Sequence, residues 1–234
     1  MYYWNNWLDF WEMFYTNGGY KRVFGEGLKN TMTIAVAGLL IGIVIGTLIA
    51  AIKVMPKYKT LPRVLNGVCN VYVGFFRGTP IVVQLLLAYY VLFPLMGISL
   101  GSLNTCILVF GLNSAAYVSE IMRAGIQSVD AGQMEAGRAM GLGYAPTMMK
   151  IVVPQAVKNI LPTLGNEFIV LIKETSIVSF IAVTDLYKSF KQLGDPTYDY
   201  TVPYLMLALT YLIMVLLISA GVRALEKKLK KSER

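Results

Sequence analysis

The residue types that most enzymes use for catalysis are scarce in this 234-residue sequence. It contains no histidine, which excludes a histidine general base, a histidine-based metal site and the zinc-protease motif H-E-x-x-H. No glycine precedes a lysine, so the standard phosphate-binding loop is missing as well. Cys69 and Cys106 lie in apolar runs, where free cysteines usually serve as small core residues. We therefore expect neither catalytic residues nor metal ligands in this chain.

The side chains that most clearly could have a chemical role are charged residues inside an otherwise apolar segment, residues 160–182. At about 100° per residue, its polar side chains fall within an arc of about 120° on one helix face. This polar stripe consists of Thr163, Asn166, Glu167, Lys173 and Glu174. Charged groups inside a membrane span are costly and usually face a cavity or a partner. The stripe lines a pathway for a zwitterionic solute, or it is an internal ion-pair network that orders the helices. As a pathway, two glutamates against one lysine favour a cationic or neutral solute over an acidic one.

Arg77 is a further candidate for the solute pathway. It precedes Pro80 at the start of an apolar run, where the proline lacks a backbone donor and is expected to kink the helix. The arginine side chain lines a cavity there, or it extends along apolar surface to the cytoplasmic edge of the membrane.

The elements that must position these residues are membrane helices. The sequence is 56% hydrophobic and 15% charged, whereas about 25% charged residues are typical of a soluble domain. A helix needs about 20 mostly apolar residues to cross a bilayer. Suitable runs lie at 30–52, 80–96 (with 61–76 as a helical extension), 103–119, 160–182 and 200–222. We predict an all-α integral membrane protein with five transmembrane helices and a hairpin at 97–102.

The positive residues predict the orientation in the membrane. The loop after the first span carries Lys53, Lys57, Lys59 and Arg63 without an acid, and six basic residues follow from Arg223 onwards. Basic loops favour the cytoplasmic side. Five spans place both regions on that side, with the N-terminus outside and the C-terminus in the cytoplasm. This topology accounts for the net charge of +8 without nucleic-acid binding.

The N-terminal segment, 1–26, is rich in tryptophan, tyrosine and phenylalanine and lacks the apolar core of a signal peptide. Tryptophan and tyrosine favour the membrane–water interface, so we predict an amphipathic helix on the extracytoplasmic surface. We expect a transmembrane domain at 27–225, with its cytoplasmic loop at about 124–150. A basic cytoplasmic tail follows at 226–234.

The first span carries Gly38, Gly42 and Gly46 at a spacing of four. Small residues on one helix face let another helix approach closely. The glycine stripe therefore serves helix packing, either inside this chain or against a second copy.

The segment between the third and fourth spans is neither apolar enough to cross a membrane nor disordered in composition. Asp130 is a candidate N-cap for a short helix that contains Glu135 and Ala136. Gly141 is expected to break this helix, and Pro146 can open a second one. Two short helices on the cytoplasmic face indicate docking to a soluble protein.

This loop and its flanks resemble a known motif. The loop contains Glu135-Ala136-Gly137, then Gly141 and, after nine further residues, the segment 151–154, which ends in Pro154. This series resembles the EAA motif of permease subunits in bacterial ABC importers of the type I fold. The flanks are similar to the polar amino acid permeases, which include histidine, glutamine and arginine permeases, in four segments: 75–80, 114–123, 166–168 and 173–176. The resemblance covers residues 27–225. Gly137 replaces the second alanine of the motif, and because glycine costs about 1 kcal/mol in a helix, we expect a looser docking helix.

The resemblance implies a type I permease fold and a pore of two permeases, identical or homologous, in the bacterial cytoplasmic membrane. It also implies two cytoplasmic ATPase subunits, which would bind ATP and Mg²⁺, and an extracytoplasmic amino-acid-binding protein. Transport would proceed by alternating access, and this chain would bind no cofactor. The ATPase-coupling residues would be Glu135, Ala136, Gly137, Gly141 and Pro154.

Other functions stay open from the sequence. An ion-coupled secondary amino acid carrier would also explain the polar stripe, and its transport would follow an ion gradient instead of ATP. A membrane scaffold would tolerate loss of the stripe. A related permease for methionine or an osmolyte is disfavoured by the flanks that contain Arg77 and Glu120.

Overall fold

The computed structural model describes residues 2–56, 58 and 60–231, which form helices and connecting turns without any β-strand. Lys57 and Lys59 of the basic loop, and residues 232–234 of the basic tail, lie outside the described residues. The α-helices in chain order are α1 (Tyr2–Tyr15), α2 (Lys29–Val54), α3 (Thr60–Gly78), α4 (Ile81–Leu87), α5 (Phe93–Leu95), α6 (Ser102–Gln127), α7 (Ala131–Ala139), α8 (Tyr144–Thr147), α9 (Val153–Glu174), α10 (Leu186–Gly194) and α11 (Thr201–Lys231). A wider, π-helical turn, Lys21–Leu28, precedes α2. Two more such turns, Ala88–Leu92 and Met148–Val152, join α4 to α5 and α8 to α9. A 3₁₀ helix, Thr175–Ile181, follows α9.

Several helices are long and apolar enough to cross a membrane, as predicted for a multi-pass membrane protein. Within the described residues these are Lys21–Val54, Ser102–Gln127 and Thr201–Leu229, and the bent pair Thr60–Gly78 and Ile81–Leu95 can serve as a fourth span. α9 has 22 residues, which suffices for about 30 Å at about 1.5 Å per residue, but its polar side chains keep it out of this apolar group. The count of five spans therefore stays a prediction.

The chain bends at Thr79 and Pro80, where a kink was expected. Pro80 has an extended backbone, with φ −64° and ψ 136°, and α4 begins immediately after it. The segment 61–76 is thus a separate helix, α3, and not a straight extension of the second span. The predicted hairpin after α5 is present, with Gly97 at φ +67°, a conformation that favours glycine.

The helices form two compact units, and the first comprises 1–38, 80–110 and 169–217. α1 packs in this unit by one face, so that Phe10 is only 3% exposed, while Leu8 and Tyr15 on its other faces are exposed. The apolar core contains Phe10, Val23, Leu186, Phe190, Leu193 and Val202. Asp185 caps α10 by accepting hydrogen bonds from the backbone N–H of Tyr187 at 3.1 Å and of Lys188 at 2.9 Å. The membrane-surface position of the N-terminal helix stays a prediction.

The second unit comprises 39–79, 111–168 and 218–234, and it contains the loop and most of the candidate residues. α2 packs against α6 through the glycine stripe. A Cβ at Gly42 would lie 2.6 Å from the Ser114 hydroxyl, and one at Gly46 would lie 2.9 Å from the Ala115 carbonyl oxygen. Gly38 is buried as well. At Gly42 and Gly46 the stripe therefore serves packing inside this chain, one of the two uses that the sequence left open.

Candidate functional site

The loop between α6 and α9 begins with a capped helix. The Asp130 carboxylate accepts a hydrogen bond from the backbone N–H of Gly132 at 2.6 Å, as expected of an N-cap. α7 then exposes Glu135 and Ala136 and buries Gly137. One face of α7 is thus held by the protein, and the face with Glu135 is free for a partner.

Gly137 lies in a tight contact with the next helix. A Cβ at this position would be 2.5 Å from Cγ2 of Thr147 and 3.1 Å from Cδ1 of Ile151. Carbon atoms in contact are normally about 3.5–4.0 Å apart. The missing methyl group lets α7 and α8 approach closely, and the expectation of a looser docking helix stays a prediction.

The turn between α7 and α8 is formed by glycines. Gly141 has φ +85°, which favours glycine, and Gly143 precedes α8 in an extended conformation. The turn ends α7 where the sequence predicted, although α8 starts at Tyr144, before Pro146. Beside the turn, Met140 is 73% exposed and Met149 is 66% exposed. Exposed methionines are adaptable apolar contacts for a partner protein.

Two hydrogen bonds connect this loop to longer helices. The Tyr144 hydroxyl donates to the backbone carbonyl of Val54, the last residue of α2, at 2.9 Å. The Gln155 side chain in α9 donates to that of Gln133 in α7 at 3.2 Å. Pro154 is exposed near the start of α9, directly after the π-helical turn Met148–Val152 that joins α8 to α9. A displacement of the loop would therefore pull on α2 and α9.

A cluster of charges joins three helices of the second unit. The Glu120 carboxylate in α6 pairs closely with Lys53 of α2, and Arg123 donates to it at 2.7 and 3.1 Å. Nη1 of Arg77, at the end of α3, lies 3.9 Å from the same carboxylate. The Arg77 guanidinium also lies over the Tyr117 ring, 5.5 Å from its centroid. Arg77 was a candidate from the sequence, but Lys53, Glu120 and Arg123 were not, because their only signal is their position at the ends of uncharged runs.

A cavity of about 420 Å³ opens beside this cluster. We call it the solute cavity, and its polar lining comprises Arg77, Tyr117, Glu120, Ser128, Asn159 and Thr163. Arg77 therefore does line a cavity, and its side chain is 47% exposed. Asn159 donates to the Ser128 hydroxyl at 2.9 Å, which joins α9 to the end of α6.

The side chains of the polar stripe on α9 do not form one continuous exposed surface. Thr163 and Asn166 are exposed, whereas Glu167 is buried and accepts a hydrogen bond from the Ser114 hydroxyl at 3.2 Å. Lys173 is exposed and Glu174 half-buried, and both belong to the first unit. Of the stripe, only Thr163 lies in the solute cavity among its described lining residues.

The described residues offer no metal site, because no three of their cysteine, aspartate and glutamate side chains lie close enough together to share an ion. The structure thus provides an exposed loop of two short helices and a cavity whose lining includes several polar side chains.

The chain is similar to known transport proteins. Residues 42–231 match the family described as binding-protein-dependent transport system inner membrane component. The arginine transport system permease protein ArtQ of Bacillus subtilis (strain 168) is 38% identical over 89% of this chain and 93% of its own length. A putative glutamine transport system permease protein GlnP of Rickettsia bellii is 41% identical, over 87% of this chain and 91% of its own length.

Solved structures are similar as well. An amino acid ABC transporter crystallised with histidines is 38% identical and matches with a TM-score of 0.82, over 91% of this chain and 97% of that one. The MetNI methionine ABC transporter is 20% identical with a TM-score of 0.73, over 87% and 94% of the two chains, and supports the fold alone. The all-α fold of an ABC importer permease, expected from the sequence, is confirmed.

Proposed function

Because the chain belongs to the family of binding-protein-dependent transport system inner membrane components and is a permease subunit of an amino-acid ABC transporter, we propose that it forms half of the pathway of an ATP-driven importer. The transported solute is a polar amino acid. A second permease, identical or homologous, completes the pathway, and an extracytoplasmic binding protein delivers the solute. The N-terminus lies outside and the C-terminus lies in the cytoplasm.

The observation that carries this proposal is the exposed coupling surface of the loop. We use this name for Glu135, Ala136, Met140, Gly141 and Met149, all of which are exposed. Buried contacts at Gly137 and Thr147 fix the loop from behind. A rigid surface with apolar side chains and one carboxylate fits docking into a groove on a soluble ATPase subunit.

Coupling follows from the hydrogen bonds behind this surface. Closure of two ATPase subunits on ATP and Mg²⁺ would move the loop, and Tyr144 and Gln133 would pass the displacement to α2 and α9. The helices around the solute cavity would then change their positions, and access would alternate between the two sides. This chain itself performs no hydrolysis.

Residues of the pathway are proposed from the cavity and the polar stripe. Arg77 and Thr163 line the solute cavity. Asn166, Lys173 and Glu174 are retained as candidate pathway residues from the polar stripe, and so is Glu167, which is buried beside Ser114.

Reconstitution tests this function. The chain is placed in liposomes with its ATPase and binding protein, and uptake of a panel of labelled amino acids is measured with and without ATP. We expect uptake to require ATP and to fall at least tenfold in Glu135→Arg, while the complex still assembles. Glu12→Arg, which changes an exposed glutamate of α1, is the control and should retain uptake. Uptake that ignores ATP and follows an ion gradient would contradict the proposal and favour a secondary carrier.

A further inference from the structure

We propose that the C-terminal end of α11 binds anionic phospholipid headgroups on the face that carries Arg223 and Lys227. The partner is the membrane itself, recognised by the negative charge of its headgroups. This inference concerns the lipid that surrounds the protein and goes beyond the proposed transport function.

α11 is longer than the apolar part of a bilayer. It is one helix of 31 residues, about 46 Å at about 1.5 Å per residue, whereas the hydrocarbon core is about 30 Å thick. Its uncharged run ends at Val222, and Arg223 follows directly. The helix rises about 27 Å from Leu205 to Arg223. A span that starts near Leu205 therefore places Arg223 at the opposite boundary of the hydrocarbon core, and Lys227, one turn later, among the headgroups.

The basic residues continue the lipid-exposed face of the helix. Four leucines on one face of α11 are exposed: Leu205, Leu209, Leu212 and Leu216. At about 100° per residue, Arg223 and Lys227 lie within about 30° of the centre of this face. Leucines exposed along a membrane span contact lipid tails. The same face therefore meets the headgroups where its leucines are replaced by Arg223 and Lys227.

A different side of this helix end packs on the protein. A Cβ at Gly165 in α9 would lie 2.5 Å from Cγ2 of Val222, so α9 and α11 are in close contact there. Val222 points about 100° away from Arg223. Arg223, Lys227 and Lys228 are exposed, and none of the ion pairs between described residues includes them. Their charges are therefore available to a partner outside the chain.

A headgroup with a phosphate and a net negative charge fits these cations. Arginine and lysine side chains at the ends of membrane helices extend to the interface while their stems cover apolar surface, and basic residues directly after a span attract anionic lipids. The Arg223 guanidinium can donate two parallel hydrogen bonds to phosphate oxygens, and Lys227 adds a point charge one turn away. A soluble protein fits less well, because this face continues the lipid-exposed leucines.

Quenching of fluorescence by brominated lipids tests this surface. A fluorophore is attached to the full chain through Ala220→Cys, an exposed position one turn before Arg223. Cys69 and Cys106 are buried and stay unlabelled. The chain is placed in phosphatidylcholine liposomes that contain brominated phosphatidylglycerol or brominated phosphatidylcholine with the same acyl chains. We expect phosphatidylglycerol to be preferred at least fivefold beside this label, with a weaker preference at high salt. A label on Leu205→Cys, at the other end of the face, should report no preference.

Two pairs of substitutions assign the preference to its residues. Arg223→Gln with Lys227→Gln should abolish it. Arg138→Gln with Lys150→Gln is the matched control, because it removes one arginine and one lysine from exposed positions of the loop and should leave the preference unchanged. In case the first pair fails to fold, Arg223→Lys with Lys227→Arg keeps both charges and should keep the preference.

Equal quenching by the two lipids beside Ala220→Cys, or an undiminished preference without the two cations, would overturn the inference. Loss of the preference on addition of soluble glycerol phosphate would indicate a site for free phosphate, and its loss on addition of the ATPase subunits would indicate a protein interface. Either result would also overturn it. The lipid preference is measured without ATP or a transported solute, so its failure leaves the proposed transport function unaffected.

Discussion

A methyl group added at Gly137 would lie 2.5 Å from Cγ2 of Thr147, so the close approach of α7 and α8 depends on the absence of a side chain at this position. The contact between these two residues lies behind the coupling surface. The glycine that departs from the resembled motif is therefore a packing residue of the loop.

Gly137→Ala is expected to destabilise the protein, although alanine gains about 1 kcal/mol over glycine in helix propensity. The overpacked contact costs about 1–3 kcal/mol, which outweighs that gain. Thr147→Ala in the same chain should recover part of the loss, because it removes the two Thr147 atoms nearest the new methyl group but also the hydrogen bond from the Thr147 hydroxyl to the Gly143 carbonyl. Thermal unfolding of the four combinations in detergent measures the effect. A single Gly137→Ala variant that unfolds later than wild type would contradict the contact.

Gly46→Ala is expected to destabilise the packing of α2 on α6. Its Cβ would lie 2.9 Å from the Ala115 carbonyl oxygen, a backbone atom that cannot move without shifting the helix. Gly67→Ala in α3 is the matched control, since its Cβ would meet no atom within 4 Å. The control should unfold at the same temperature as wild type or slightly higher, because alanine favours helix. Equal effects at both glycines would argue against this helix contact.

Glu120→Gln is expected to cost about 3 kcal/mol of stability, because it leaves Lys53 and Arg123 without their carboxylate in a largely buried site. The coupling of Glu120 to Arg77 should be much smaller, below about 1 kcal/mol, since that pair is 3.9 Å apart and half-exposed. Double-mutant cycles of Glu120 with Lys53 and with Arg77 compare the two couplings. The test is which of the two coupling energies is larger. A coupling of Glu120 to Arg77 that exceeds its coupling to Lys53 would refute the cluster as described.

The stability of the first unit should depend on pH through Asp185. Burial raises the pKa of this carboxyl from 3.8 to about 6, against the hydrogen bonds that it accepts from the backbone of Tyr187 and Lys188. The folded protein then holds a proton that the unfolded chain releases, so this contribution to stability falls as pH rises from about 4 to about 6. Lys188 lowers the pKa, and Cys106 and Tyr211 also face the carboxyl.

Asp185→Asn removes the titrating group, so it should abolish that fall, and its single amide oxygen keeps one of the two cap hydrogen bonds. Asp195→Asn is the control, because this half-exposed carboxyl has its pKa lowered by the Lys191 ammonium and its effect has the opposite sign. Midpoints of thermal unfolding between pH 4 and 7 give the comparison. If wild type and Asp185→Asn show the same slope, Asp185 is not the titrating group.

Much of the fold follows from local properties of the sequence. Apolar runs predicted the membrane helices, Pro80 marked the break after α3, and Asp130 and Gly141 marked the start and end of α7. Each of these depends on the hydrophobicity or backbone preference of a few neighbouring residues. α9 was harder to predict, since its polar stripe is divided between the two units and Glu167 turns inward.

The sequence by itself determined that this is a membrane protein with a loop of two short helices, and its motif residues led to the permease family. Only the tertiary structure decided which side chains meet. Lys53 and Glu120 are 67 residues apart, and Ser114 and Glu167 are 53 apart, yet both pairs are in contact. Neither pairing has a local signal, because ion pairs and close packing depend on how helices are brought together. The same holds for Gly137, whose role is set by Thr147 across the turn.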